Sequence, residues 1–179
     1  HVQLVDRAGA YWSSASLRGR SRRDWQGAVE AFPVGHRIAE GRFAPMLEDR
    51  EGNLWFGSWT QGLLRLSDGP LVSFARSEGK SSDAARTILE DASRETWVGT
   101  TDGLNRIAGG RIASFRRPSA LEGARDLNWI YALAEDARGG LLLGTRAGLA
   151  TFRAGAFGLP PREDRRLQAP VFSFLRARS

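Results

Sequence analysis

The residues best suited to acid–base chemistry are three adjacent carboxylate pairs, Glu48-Asp49, Glu90-Asp91 and Glu135-Asp136. A general acid and base must reach one reacting site, yet neighbouring residues on a strand point to opposite faces. The pairs also recur, and an active site is needed once whereas a turn is needed in every copy of a repeat. These acids are therefore expected to serve structure. Histidine occurs only at His1 and His36, without the spacing of a metal pair. The serines form neither a Gly-x-Ser-x-Gly elbow nor a triad order, and no glycine-rich phosphate loop is present. Cys is absent, which removes disulfides and thiolate metal sites. No catalytic residue, metal or cofactor is expected.

The net charge is +6, and Lys80 is the only lysine among 26 basic residues. A nucleic-acid binder gathers such charge on one face or helix; here the only dense cluster is Arg18, Arg20, Arg22 and Arg23. Nucleic acid is not an expected partner. No apolar run approaches the roughly 18 residues of a membrane-spanning helix. The start, His1 to Asp6, lacks the charged-then-apolar pattern of a secretory signal, so the chain is expected to carry no address of its own.

The elements that would position these residues repeat. Reading from Met46 gives MLEDREGNLWFGSWTQGLLRL, from Thr87 TILEDASRETWVGTTDGLNRI and from Ala132 ALAEDARGGLLLGTRAGLATF. A worn copy begins at Gln3, where Asp6, Gly9 and Trp12 fall as Asp49, Gly52 and Trp55 do later. Asp6, Asp49, Asp91 and Asp136 lie 43, 42 and 45 residues apart. A period near 40 to 45 with several short strands per unit points to a β-propeller.

Within a unit, an apolar run ends in Glu-Asp and another begins two to three residues later, which predicts a hairpin. Asp at the first turn position accepts backbone N–H groups and Gly at the fourth supplies positive φ. Asp6 with Gly9, Asp49 with Gly52 and Asp136 with Gly139 fit; Asp91 meets Arg94 instead, so that turn is expected to be distorted or strained. The second strand, Leu54-Trp55-Phe56-Gly57 or Thr96-Trp97-Val98-Gly99, is apolar on both faces, as a sheet sandwiched between two neighbours requires. Gly57, Gly99 and Gly144 leave room for a close backbone approach. A second hairpin closes on Gly62-Leu63, Gly103-Leu104 and Gly148-Leu149, and a fourth strand ends at Phe74, Phe115 and Phe157. The expected fold class is all-β, with four-stranded antiparallel blades near 1–34, 43–76, 85–117 and 129–158, and 170–179 opening a further blade.

The string ED…GNLWFG(T/S)…GL(L/N)R(L/I) resembles the two-component regulator propeller repeat, found in the sensor portions of bacterial hybrid histidine kinases and some diguanylate cyclases. The resemblance is strong at 46–66 and 87–107, weakens at 132–152 where Leu142 replaces the tryptophan, and is poor before residue 30. Closed propellers have about four to eight blades. Three to four blades are therefore expected to be an incomplete arc of a larger ring whose remaining blades lie elsewhere in a parent chain; a small ring built from several copies is the competitor.

If the first strand is innermost, as the resemblance implies, the second hairpin and the crossing to the next blade share one face. The candidate ligand-binding residues are then Trp59, Gln61, Thr101, Asp102 and Arg146, with Asn128 and Trp129 before the last good blade; Arg86 and Asp126 flank similar sites. Trp59 is the sharpest, because Gly57 to Gly62 is five steps where the other hairpins take four. Its alternatives are stacking on a sugar or other ligand and packing on a neighbouring blade.

The resemblance implies a non-catalytic, periplasmic sensor segment of a membrane-anchored, homodimeric signalling protein, with an unidentified small-molecule or oligosaccharide ligand. A protein-interaction scaffold is the second reading. The third is a propeller lyase similar to streptogramin lyases, for which His36 is the only internal histidine.

Overall fold

The computed structural model describes residues 2–13, 21–23, 29–31, 43–67, 72–74, 82, 84–117, 127–159 and 169–175. His36, Lys80, Asp126 and the side chains of the Arg18–Arg23 cluster lie outside the described residues.

Four sheets of four antiparallel strands follow one another along the chain, each in simple sequence order. The first holds β1 (Val2–Val5), β2 (Tyr11–Ser13), β3 (Ser21–Arg23) and β4 (Val29–Ala31). The second holds β5 (Phe43–Glu48), β6 (Leu54–Ser58), β7 (Leu63–Leu66) and β8 (Val72–Phe74). The third holds β9 (Ala85–Glu90), β10 (Thr96–Thr100), β11 (Gly103–Ala108) and β12 (Arg111–Phe115). The fourth holds β13 (Ile130–Glu135), β14 (Leu141–Thr145), β15 (Gly148–Arg153) and β16 (Ala156–Gly158). The worn first copy thus builds a full four-stranded sheet. Residues 171–175 form no strand ladder, and Val171 N–H donates to Thr145 O at 3.1 Å.

The core lies between sheets. Trp12, Phe56 and Leu64 join the first two blades. Trp55, Leu63, Phe74, Ala85, Val98 and Ile107 join the second and third, and Trp97, Leu104, Ile130, Leu143 and Phe152 are central to the layer between the third and fourth. Burying each large apolar side chain contributes about 1.5–3 kcal/mol, so residues from both faces of a second strand hold the arc together. Trp55 of β6 faces the third blade, while its neighbour Phe56 faces Trp12 of the first at 5.5 Å between ring centroids.

The glycine expectation has a direct geometric reason. A Cβ on Gly57 would lie 3.2 Å from Ala85 Cβ, and one on Gly99 would lie 2.6 Å from Ile130 Cγ2. On Gly144 it would lie 2.5 Å from Val171 O. Each glycine seats the first residue of the next inner segment, so Val171 occupies the place against the fourth blade that Ile130 occupies against the third.

Candidate functional site

The recurring acids are accounted for by turns and clasps. Oδ1 of Asp6, Asp49, Asp91 and Asp136 accepts the N–H of Ala10, Asn53, Glu95 and Gly140 at 2.8, 2.8, 3.0 and 3.0 Å. Oδ2 accepts the indole N–H of Trp12, Trp55 and Trp97 at 2.8, 2.7 and 2.7 Å. Where Leu142 replaces the tryptophan, Arg153 Nη2 donates to Asp136 Oδ2 at 2.6 Å. The Asp136 carboxyl is held below its ordinary range by the backbone N–H groups of Gly140 and Arg138 and by Arg153. The glutamates reach backwards instead: Glu48 accepts the Arg7 N–H at 2.7 Å, Glu90 the Arg50 N–H at 3.0 Å and Glu135 the Ala92 N–H at 3.2 Å. One acid of each pair therefore caps its own turn, and the other ties its blade to the one before.

The distortion expected at Arg94 does not occur. Arg94 N–H donates to Asp91 O at 3.1 Å, matching Gly52 N–H to Asp49 O at 3.0 Å. The strain is confined to the backbone of Arg94 itself, whose φ of 64° resembles the 86° of Gly52. The turn keeps its shape because the Asp91 carboxylate still gathers the Ser93 and Glu95 N–H groups.

At the opposite ends of these strands, hairpin tips and interblade crossings meet on one face. Thr101 N–H donates to Ala84 O at 3.3 Å, Gly103 N–H to Asn128 O at 2.7 Å, and Arg146 N–H to Trp129 O at 3.0 Å. The first strands of successive blades contact one another. The candidate residues thus come together as a rim beside the inner strands.

Their roles differ. Asn128 is 6% exposed, and its side chain bridges the backbone N–H and C=O of Arg117 at 2.8 and 3.0 Å, so its amide is engaged in a crossing clasp. Thr101 shares a 3.1 Å hydroxyl contact with Ser82, and Asp102 pairs with Arg116 at 3.0 Å. The extra residue of the Trp59 hairpin is absorbed by Ser58, whose Oγ accepts the Thr60 and Gln61 N–H groups at 3.2 and 3.1 Å. Among the described residues, Gln61 Oε1 and Trp129 Nε1 are buried without a hydrogen-bond partner. Trp59 is 58% exposed and Phe172 66%, so both present open aromatic surface. The Arg86 guanidinium carbon lies 4.4 Å from the Trp59 ring centroid and 5.3 Å from that of Tyr131. Tyr131 meets Phe172 at 4.7 Å, and Arg146 covers Trp129 at 5.3 Å.

Arg86 was visible in the sequence only as a flank, and Tyr131 and Phe172 were not singled out. Their common signal is register: each is the second residue of an inner segment, counted from the residue that seats on the preceding blade's glycine.

Residues 43–60 match the family model of the two component regulator propeller. No curated protein matches the chain. Among solved structures, the chain is similar to the extracellular domain of the hybrid two component system BT4673 from B. thetaiotaomicron, with 19% identity and a TM-score of 0.69 over 92% of this chain and 23% of that one. It is similar to the corresponding domain of BT3049 from B. thetaiotaomicron, with 19% identity and a TM-score of 0.70 over 90% of this chain and 23% of that one. Virginiamycin B lyase from Staphylococcus aureus is 13% identical with a TM-score of 0.65, over 90% of this chain and 56% of that one. At these identities the likeness establishes the fold, a partial arc of β-propeller blades, and the chain spans only 23% of the two extracellular domains.

Proposed function

We propose that this chain, which carries a two-component regulator propeller repeat at residues 43–60, is a non-catalytic, ligand-sensing segment of a bacterial membrane-bound signalling protein. The parent is a two-component sensor or a diguanylate cyclase, anchored in the inner membrane, with this segment on the periplasmic side. The remaining blades close the ring, and ligand biases the arrangement of propellers in a homodimer. The likeness to the extracellular domains of two hybrid two component systems supports the location and the role.

The observation that carries the reading is Trp59. An added hairpin residue, absorbed by Ser58, raises a tryptophan that remains 58% exposed beside the inner strands. Trp59 lies outside the three interblade clusters, and although Arg86 of the next blade meets its ring, more than half of the side chain stays open, which supports a binding role. Thermal melting of the chain with a panel of oligosaccharides and small metabolites tests this. A ligand that raises the melting temperature, and whose affinity falls about tenfold or about 1.4 kcal/mol in Trp59→Ala, is the expected outcome. A shift unchanged in that variant removes Trp59 from the site.

The likeness to virginiamycin B lyase favours a second reading, a lyase-like propeller. The carboxylates argue against it, since each pair is spent on a turn and a clasp. Opening of a streptogramin B ring by the chain would overturn the sensor reading.

A further inference from the structure

Each inner strand begins with a bulge. In β9, Ala85 pairs with Thr100 and Thr87 with Gly99, which leaves Arg86 without a partner in the ladder. In β13, Ile130 pairs with Thr145 and Ala132 with Gly144, which leaves out Tyr131 in the same way. A bulge turns its extra residue away from the pleat and re-aims the side chain. Two successive blades use it to bring an arginine and a tyrosine to the same rim, where the guanidinium lies near the rings of both Trp59 and Tyr131.

This arrangement fits Arg86 for recognition of an anion. Ring faces attract a cation and fix the plane of a guanidinium, but they do not take its N–H groups, whose fork matches a carboxylate in that plane. Some arginines of the described residues meet acids, Arg7 with Glu48, Arg50 with Glu90, Arg106 with Glu95, Arg116 with Asp102 and Arg153 with Asp136, whereas Arg65 lies over the Trp55 and Phe74 rings. Among the described residues Arg86 has no such acid. A cation held against Tyr131 and the ring of Trp59, itself 58% exposed, offers charge and a flat apolar platform within one site.

We propose that Arg86, Trp59 and Tyr131 form a binding site for a small carboxylate-bearing ligand, the carboxylate meeting the Arg86 N–H edge and a ring of the ligand lying on Trp59. The proposal rests on the sensor reading for the site's location and adds the chemical class of its ligand. Two sources share this chemistry, acidic sugars and aromatic carboxylates, and the test separates them.

Titration calorimetry of the full chain uses digalacturonate, neutral galactobiose and benzoate as probes. Either carboxylate is expected to bind about tenfold or more tightly than galactobiose, and whichever of the two binds more tightly identifies the source. Arg86→Gln is expected to abolish that preference while leaving galactobiose within about twofold, and Arg86→Lys, which keeps charge but loses the planar fork, to restore part of it. Arg86 lies outside the interblade cores, and unchanged melting of the variants verifies the fold. Carboxylate affinity unchanged in Arg86→Gln overturns the proposal. Binding of galactobiose as tightly as the acids, still dependent on Trp59, overturns the anion assignment and leaves the sensor reading standing. Absence of heat from all three probes overturns the site; the sensor reading fails with it only if the wider ligand panel is silent as well.

Discussion

At the residue scale, one aspartate position solves two problems, closing a turn and holding a tryptophan. The fourth copy shows how the solution adapts. With Leu142 in the tryptophan's place, Arg153 supplies the donor that Asp136 Oδ2 would otherwise lack. Because these contacts favour the ionised form, the folded-state pKa of Asp136 lies below its ordinary value of 3.8. The sign follows from linkage: stability from this group is present above the unfolded carboxylate range and lost as pH falls through the folded value. Asp136→Asn is expected to destabilise the chain at neutral pH and to narrow its gap from the parent sequence as pH falls below 4. Denaturant unfolding at several pH values checks this, and a gap that widens in acid would contradict it.

At the scale of the element, the first hairpin of each blade specifies a shape rather than a sequence. Gly9, Gly52, Arg94 and Gly139 hold the same turn position with φ between 64° and 86°. A non-glycine residue in this region carries roughly 1–2 kcal/mol of steric cost, partly offset by the greater freedom glycine loses on folding. Arg94 is exposed, and its turn is held by the Asp91 carboxylate rather than by its own side chain. Arg94→Gly should therefore raise stability by about 0.5–1 kcal/mol, read as a higher denaturation midpoint at unchanged slope.

At the scale of the whole molecule, blades contact through two devices at different radii. Glutamate clasps join successive outer turns, and glycines let each inner strand press on the blade before it. Gly99 is the tightest of these seats between two described blades, with Ile130 and Thr87 methyl groups each 2.6 Å from where a Cβ would stand. Gly99→Ala is expected to cost about 1–3 kcal/mol, because the third and fourth blades must separate to admit one methyl group. A matching loss in thermal stability, with the sheet spectrum retained at low temperature, is the measurement that checks it.

The repeat period, the turn residues, the double-faced second strands and the spacing glycines were all legible in the amino-acid sequence, because local geometry demands particular residue types at fixed steps. Trp59 was legible for the same reason, as an added step in a regular hairpin. Two features were not. The glutamates' backward reach and the meeting of Trp59, Arg86 and Tyr131 join residues from different blades. Their partnership depends on the angle between sheets and on bulges that turn single side chains off the ladder. Neither leaves a mark in hydrophobic periodicity, so the blades and their shared face could be read from the chain, while the meeting of Trp59, Arg86 and Tyr131 emerged only once the blades were stacked.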